Sequence, residues 1–211
     1  MTRAGLAVVL VLALVTPAWP GGGGSSGLEG HPPGRFPLTI SIGRFDDDVE
    51  RAFHRAVENW NVVFRETLAT AAPAFVVGQY TRGVSIAISP VNVFFAPATA
   101  RIVIGRPASL GPAAETFIYA DRAGLIHLPV RIDIRQTAAA FDEGTRESFF
   151  YRAIARELGR ALGLPNVDDP RSLMCCVRAR PDAAGAPPAD MRSIRRQLAE
   201  HYAAFWARDM P

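Results

Sequence analysis

The stretch from Tyr151 to Cys176, YRAIARELGRALGLPNVDDPRSLMCC, constrains this chain more than any other part of it. Phe150, Ile154, Leu158 and Ala161 recur every three or four residues, which sets them on one stripe of a helix whose cap is predicted near Thr145. Gly163 ends that helix in the manner of a glycine at C′. Arg156 and Arg160 stand one turn apart on a shared face, with Glu157 between them in the chain. Beyond the glycine come Asn166, the acidic pair Asp168 and Asp169, Met174, and the adjacent cysteines Cys175 and Cys176. An amphipathic helix of this kind must bury its stripe against another layer.

The preceding residues supply that layer. Leu38, Ile40 and Ile42 alternate with Thr39 and Ser41, the period of a half-buried strand, which Gly43 ends. Asp46 to Asp48 are placed to cap a helix whose apolar positions are Val49, Phe53, Val57, Trp60 and Phe64. From Phe75 to Ile134 the pattern is of short β-rich runs: Phe75 to Tyr80, Val84 to Ser89, Arg101 to Gly105, Thr116 to Ala120 and Leu125 to Ile134. Asp121 to Gly124 joins the last two as a hairpin. Near the end, Asp190 is the expected N-cap of a helix with Ile194, Leu198, Tyr202 and Phe205 on its apolar face. With 49% of residues apolar, the chain can bury one sizeable core without help from metal or disulfides. The predicted class is α+β: a twisted mixed sheet packed on two long helices, then a small C-terminal subdomain closed by a helix.

Residues 1–18 read as a secretory signal peptide: a basic Arg3, an apolar run from Leu6 to Val15 and a small-residue site around Ala18. The run is shorter than the roughly 20 residues a membrane span needs, so no membrane association is expected after cleavage. Residues 19–35, rich in glycine, serine and proline, are expected to be a flexible tether. The folded domain should occupy 36–207, with its upper part running to about 163. The expected location is secreted or periplasmic, and the expected state a monomer. All 23 basic residues are arginine, a coding bias of GC-rich, bacterial genomes. The net charge of +3 is small and its arginines are mixed with acids, which argues against a nucleic-acid surface. A bridge between adjacent cysteines fits poorly with an extended peptide link, so two thiols are expected at Cys175 and Cys176.

Arg156, Glu157, Arg160, Gly163, Asn166 and Met174 stand at the spacing of H-E-x-x-H-x-x-G-x-x-H followed by a methionine turn. With the ELG, ALGLP and DPRSLM phrases and the AVENWNVVF run of the first helix, the chain resembles the matrixin branch of the metzincin metalloproteases. The resemblance covers nearly the whole domain and implies a zincin-like fold and zinc-dependent hydrolysis of peptide bonds. In that family the histidines hold Zn²⁺ and the glutamate serves as general base. Here the ligand positions carry Arg156, Arg160 and Asn166, while Glu157 keeps the base position and Gly163 and Met174 keep structural ones.

Arginine has five donors and no acceptor, and asparagine offers one weak neutral oxygen, so zinc is expected to be lost. His31, His54, His127 and His201 are spread over the tether, the first helix, a strand and the last helix, and none replaces a ligand. Without a metal-bound water Glu157 has nothing to deprotonate; a carboxylate held by Arg156 and Arg160, with Asp168 and Asp169 as further partners, is the favoured reading. The expectation is a pseudoprotease that binds a peptide or protein in the former cleft. The alternative is a secreted zinc endopeptidase with non-standard ligands from Glu157, Asp168, Asp169 and the cysteines; a gene losing its function is a third.

Overall fold

A computed structural model describes residues 26–43, 45–78, 102–105, 114–134, 143–169, 171–175 and 191–208. Its elements are a 3-10 turn (Pro33–Arg35), β1 (Leu38–Ile42), α1 (Asp47–Leu68), β2 (Phe75–Val77), β3 (Ile102–Gly105), β4 (Ala114–Phe117), β5 (Val130–Ile134), α2 (Glu143–Ala161), a second 3-10 turn (Met191–Ile194) and α3 (Arg195–Trp206). The expected leader at 1–18, the strand at Val84–Ser89, Cys176 and the Asp190 cap lie outside the described residues. Among the described residues no helix is long and apolar enough to cross a membrane.

The class is α+β, as the residue pattern predicts. The strands form one five-stranded sheet in the order β2-β1-β3-β5-β4. Four are parallel, and β4 runs antiparallel at the edge, with Thr116 opposite Ile132. The β1-α1-β2 unit is a parallel crossover, which needs a helix-length connection; α1 supplies it. Leu38 and Ile40 are wholly buried on β1, and Val49, Phe53, Val57, Trp60 and Phe64 bury the predicted stripe of α1. Asp46 precedes α1 without capping it by its side chain. Both Asp46 and Asp48 instead pair with Arg146 of α2, at 2.8 and 3.1 Å.

Contacts specific to single residues fix how α1 and α2 meet. Trp60 donates its indole N–H to the Ala155 carbonyl at 2.7 Å, and Asn59 donates to the Tyr151 hydroxyl at 2.8 Å. Asn61 ties β2 to the helix, donating to the Phe75 carbonyl and accepting from its N–H at 2.9 and 2.8 Å. Phe150, Ile154, Leu158 and Ala161 are fully buried on α2. The helix starts at Glu143, two residues ahead of the predicted cap, and ends in a Schellman turn: Gly163 at φ +92° donates to the Arg160 carbonyl and Leu164 to that of Gly159.

The hairpin forms with shorter strands than expected. Ala120 and Ile126 bridge it, and Asp121 Oδ1 accepts the N–H groups of Ala123 and Leu125 to shape the turn. Helix α3 packs on α1, the Tyr202 ring meeting that of Phe64 edge-on with centroids 6.0 Å apart, and its Leu198, Tyr202 and Phe205 are essentially buried.

The expected tether at 19–35 is corrected over its described part. Gly30 bridges Leu125, donates to the Gly124 carbonyl and accepts from Ile126, while His31 is fully buried. Trp206 donates to the His31 carbonyl and Arg208 to that of Leu28, at 3.0 and 2.8 Å. Glycines in the elements that face it let this backbone lie so close: a Cβ on Gly163 would collide with the Glu29 carbonyl, and one on Gly124 with that of Leu28. Ser26 to Arg35 is therefore a clasp joining the ends of the fold.

Candidate functional site

Helix α2 carries the cluster. Glu157 is 1% exposed, and its Oε2 accepts the Thr116 hydroxyl from β4 at 2.7 Å. The same hydroxyl lies 3.1 Å from the Glu157 carbonyl oxygen. Arg156 Nη1 is 4.0 Å from Oε1 and Arg160 Nη1 is 3.7 Å from Oε2. Both are ion pairs beyond hydrogen-bond length. The reason is local: neighbours on a helix point about 100° apart, and residues three apart share a face without facing head on. Each guanidinium also has a sealed Nε–H with no acceptor among the described residues.

Burial dominates the titration of Glu157 and of Arg156. It raises the Glu157 carboxyl above its ordinary 4.5, against the Thr116 hydrogen bond and the pull of Arg160 and Arg156. It lowers the Arg156 guanidinium, against the attraction of Glu157 and together with the repulsion of Arg160. Thr116, which brings β4 to the carboxylate, has no signal in the sequence, because its partner is 41 residues away and depends on how the hairpin docks on α2.

Gly163 makes the turn that ends α2, and Met174 lies on the loop that follows it. Met174 is fully buried, and a Cβ on Gly159 would come within 2.6 Å of its sulfur and 2.9 Å of the Trp60 ring. The loop is tied back by Val167 N–H to the Met174 carbonyl at 3.1 Å and by the Ser172 hydroxyl under the Met174 N–H at 3.1 Å. Asn166 is exposed and makes no hydrogen bond to the cluster among the described residues. Asp168 and Asp169 are exposed as well, and neither pairs with Arg156 or Arg160 there, contrary to expectation. Asp169 is engaged locally, accepting the backbone N–H and Nε–H of Arg171 at 3.0 and 3.2 Å.

Cys175 is disulfide-bonded, which overturns the expected pair of thiols; the chain's one other cysteine is Cys176. His31 is buried within the clasp, bonding the Ala161 carbonyl at 2.8 Å, and His201 of α3 is buried against it, whereas His54 and His127 are exposed.

Zinc does not fit these residues. The cluster offers one ligating group, Glu157, and a dication there would meet two guanidinium charges. Among the described residues no three histidine, cysteine or acidic side chains are grouped to hold a metal. No protein-family model matches the chain, and no curated protein matches it.

Proposed function

We propose that this chain is an exported domain of the metzincin type whose metal site has given way to a charged cluster, a pseudoprotease that binds a peptide or protein and does not cleave it. The observation that carries the reading is the Arg156, Glu157 and Arg160 trio, in which two permanent cations occupy the positions of ligands and flank the glutamate. The scaffold half of the proposal is supported by a mixed sheet on two long helices, a glycine turn at Gly163 and a methionine beneath Gly159, the arrangement that the motif spacing implies. The binding half is supported by β4, whose outer side has no strand partner among the described residues. An extended segment laid along such an edge gains main-chain hydrogen bonds, and Thr116 would set it beside the trio.

Two measurements test this. Elemental analysis of the exported protein should find no stoichiometric zinc, and unfolded protein substrates should survive incubation whether or not a chelator is present; one zinc per chain with chelator-sensitive cleavage sinks the proposal. The variant carrying Arg156→His, Arg160→His and Asn166→His together should gain tight zinc binding around Glu157. A well-folded variant that takes up no metal removes the metzincin assignment.

A further inference from the structure

We propose that Arg156 and Arg160 form a carboxylate-binding site at the end of the β4 edge, taking a peptide's chain terminus or an acidic side chain; this rests on the edge-binding reading above. The two guanidiniums are one turn apart and share one counter-ion, so the trio carries one positive charge in excess with Glu157 ionised. Glu157 does not satisfy them: its hydrogen bond comes from Thr116, and neither arginine reaches it within hydrogen-bond distance. No hydrogen-bond acceptor among the described residues meets either arginine, although the Nε atoms are sealed from water. Side-chain exposures of 19% for Arg156 and 13% for Arg160 leave part of each within reach of a ligand. Paired arginines whose donors lack acceptors fit a carboxylate in two-point fashion, and that anion balances the excess charge.

Glu157 is the second element of the design. Set between the cations and anchored to β4, it holds them at 4.0 and 3.7 Å without consuming their donors. A compact anion is admitted and a cationic group refused.

The test uses the full exported chain, uniformly ¹⁵N-labelled, and four probes: N-acetyl-trialanine as free acid, its amide, and N-acetyl-Ala-Glu-Ala-amide with its glutamine counterpart. Nε–H resonances are assigned with Arg156→Lys and Arg160→Lys. The free acid should move both resonances and bind about tenfold more tightly than the amide, and Arg160→Met should cut that preference below about twofold. A glutamate probe that matches the free acid makes an acidic side chain the source; one that behaves as its glutamine counterpart makes it the chain terminus. Acid and amide binding alike in the parent, or an acid that moves only other resonances, overturns the site even if Arg160→Met does not fold. The β4 amides separate the two readings. Shifts at β4 without shifts at the arginines leave edge binding standing and remove the carboxylate site, and the reverse pattern keeps the site and removes the edge.

Discussion

The molecule contains the same three side chains twice. Arg51 and Arg55 on α1 are one turn apart and share Glu147 of α2; Arg156 and Arg160 are one turn apart and share Glu157. In the first trio the pairs close to 3.3 and 3.1 Å as hydrogen bonds, with the arginines 48% and 46% exposed. In the second they stay at 4.0 and 3.7 Å, with the carboxylate 2% exposed. The difference lies in the backbone. Glu147 comes from a facing helix and can approach both arginines, whereas Glu157 is built into the same helix as its partners and is turned to Thr116. Water can replace the first trio's contacts, but the second has been dried without being completed. A buried, unfinished ion cluster costs stability, and the fold that carries it rests on packing elsewhere: Trp60 against Gly159 and Met174, and the Schellman turn under the clasp.

The sharpest way to break this contrast is to strip the buried trio of its cations. Arg156→Met with Arg160→Met leaves a buried carboxylate uncompensated and should lower stability to urea by about 3 kcal/mol at neutral pH. Acidification should restore part of the loss, as Glu157 takes up a proton. A loss under about 1 kcal/mol would mean the arginines do not hold the charge, and the two trios would be equivalent. Adding Glu157→Gln to that double variant should then recover the parent's stability or exceed it by about 1 kcal/mol, because a neutral set replaces an expensive one. Continued instability in the triple variant would show that the arginines stabilise by packing their stems.

Legibility in the sequence divides along the same line. The stripes of α1, α2 and α3 are readable because burial follows a period of 3.6 residues, and Gly163 because its conformation and the turn it makes are local. The hairpin is readable from Asp121 to Gly124 for the same reason. What cannot be read is long-range and polar. Thr116 meets Glu157 only after two elements dock, Asn61 caps β2 across a loop, and the segment around Gly30 and His31 looks like a tether because backbone-to-backbone adhesion leaves no apolar trace. Asp168 and Asp169 lie near the arginines in sequence, yet Asp169 is drawn off by a local turn with Arg171.

Acid titration should separate two buried groups of opposite sign. The folded Glu157 holds its proton above the ordinary 4.5, so its contribution is full below about pH 4.5 and is lost as pH rises through the folded value. Burial lowers His201 below 6.5, against its hydrogen bond to the Glu29 backbone; the unfolded chain is protonated first, and stability is lost as pH falls from about 6.5. A tenfold change in a group's proton affinity on folding corresponds to about 1.4 kcal/mol. Parent-minus-variant stability curves should therefore fall with rising pH for Glu157→Gln and climb with rising pH for His201→Phe. A flat Glu157→Gln curve would mean that burial does not change that carboxyl's proton affinity on folding.

The exposed trio should give the smallest effect, and that is the control on which the comparison depends. Glu147→Gln removes the charge that both Arg51 and Arg55 contact, yet the expected loss is under about 1 kcal/mol, since exposed pairs gain little over their hydrated ions. Arg55 keeps a second anchor: its guanidinium lies 4.1 Å from the centre of the Tyr151 ring, whose hydroxyl is itself fixed by Asn59. The glutamine can still accept a hydrogen bond from either arginine, so geometry need not change. Ionic strength distinguishes this from the buried site. Raising salt toward 1 M shortens the screening length to about 3 Å and should erase the Glu147→Gln difference, while the deficit of the Arg156→Met and Arg160→Met double variant, set by the desolvation of the Glu157 carboxylate, should persist. If the Glu147→Gln loss approaches that deficit and resists salt, exposure is not what separates the trios, and burial no longer gives a physical reason for the second to stand open to an anion.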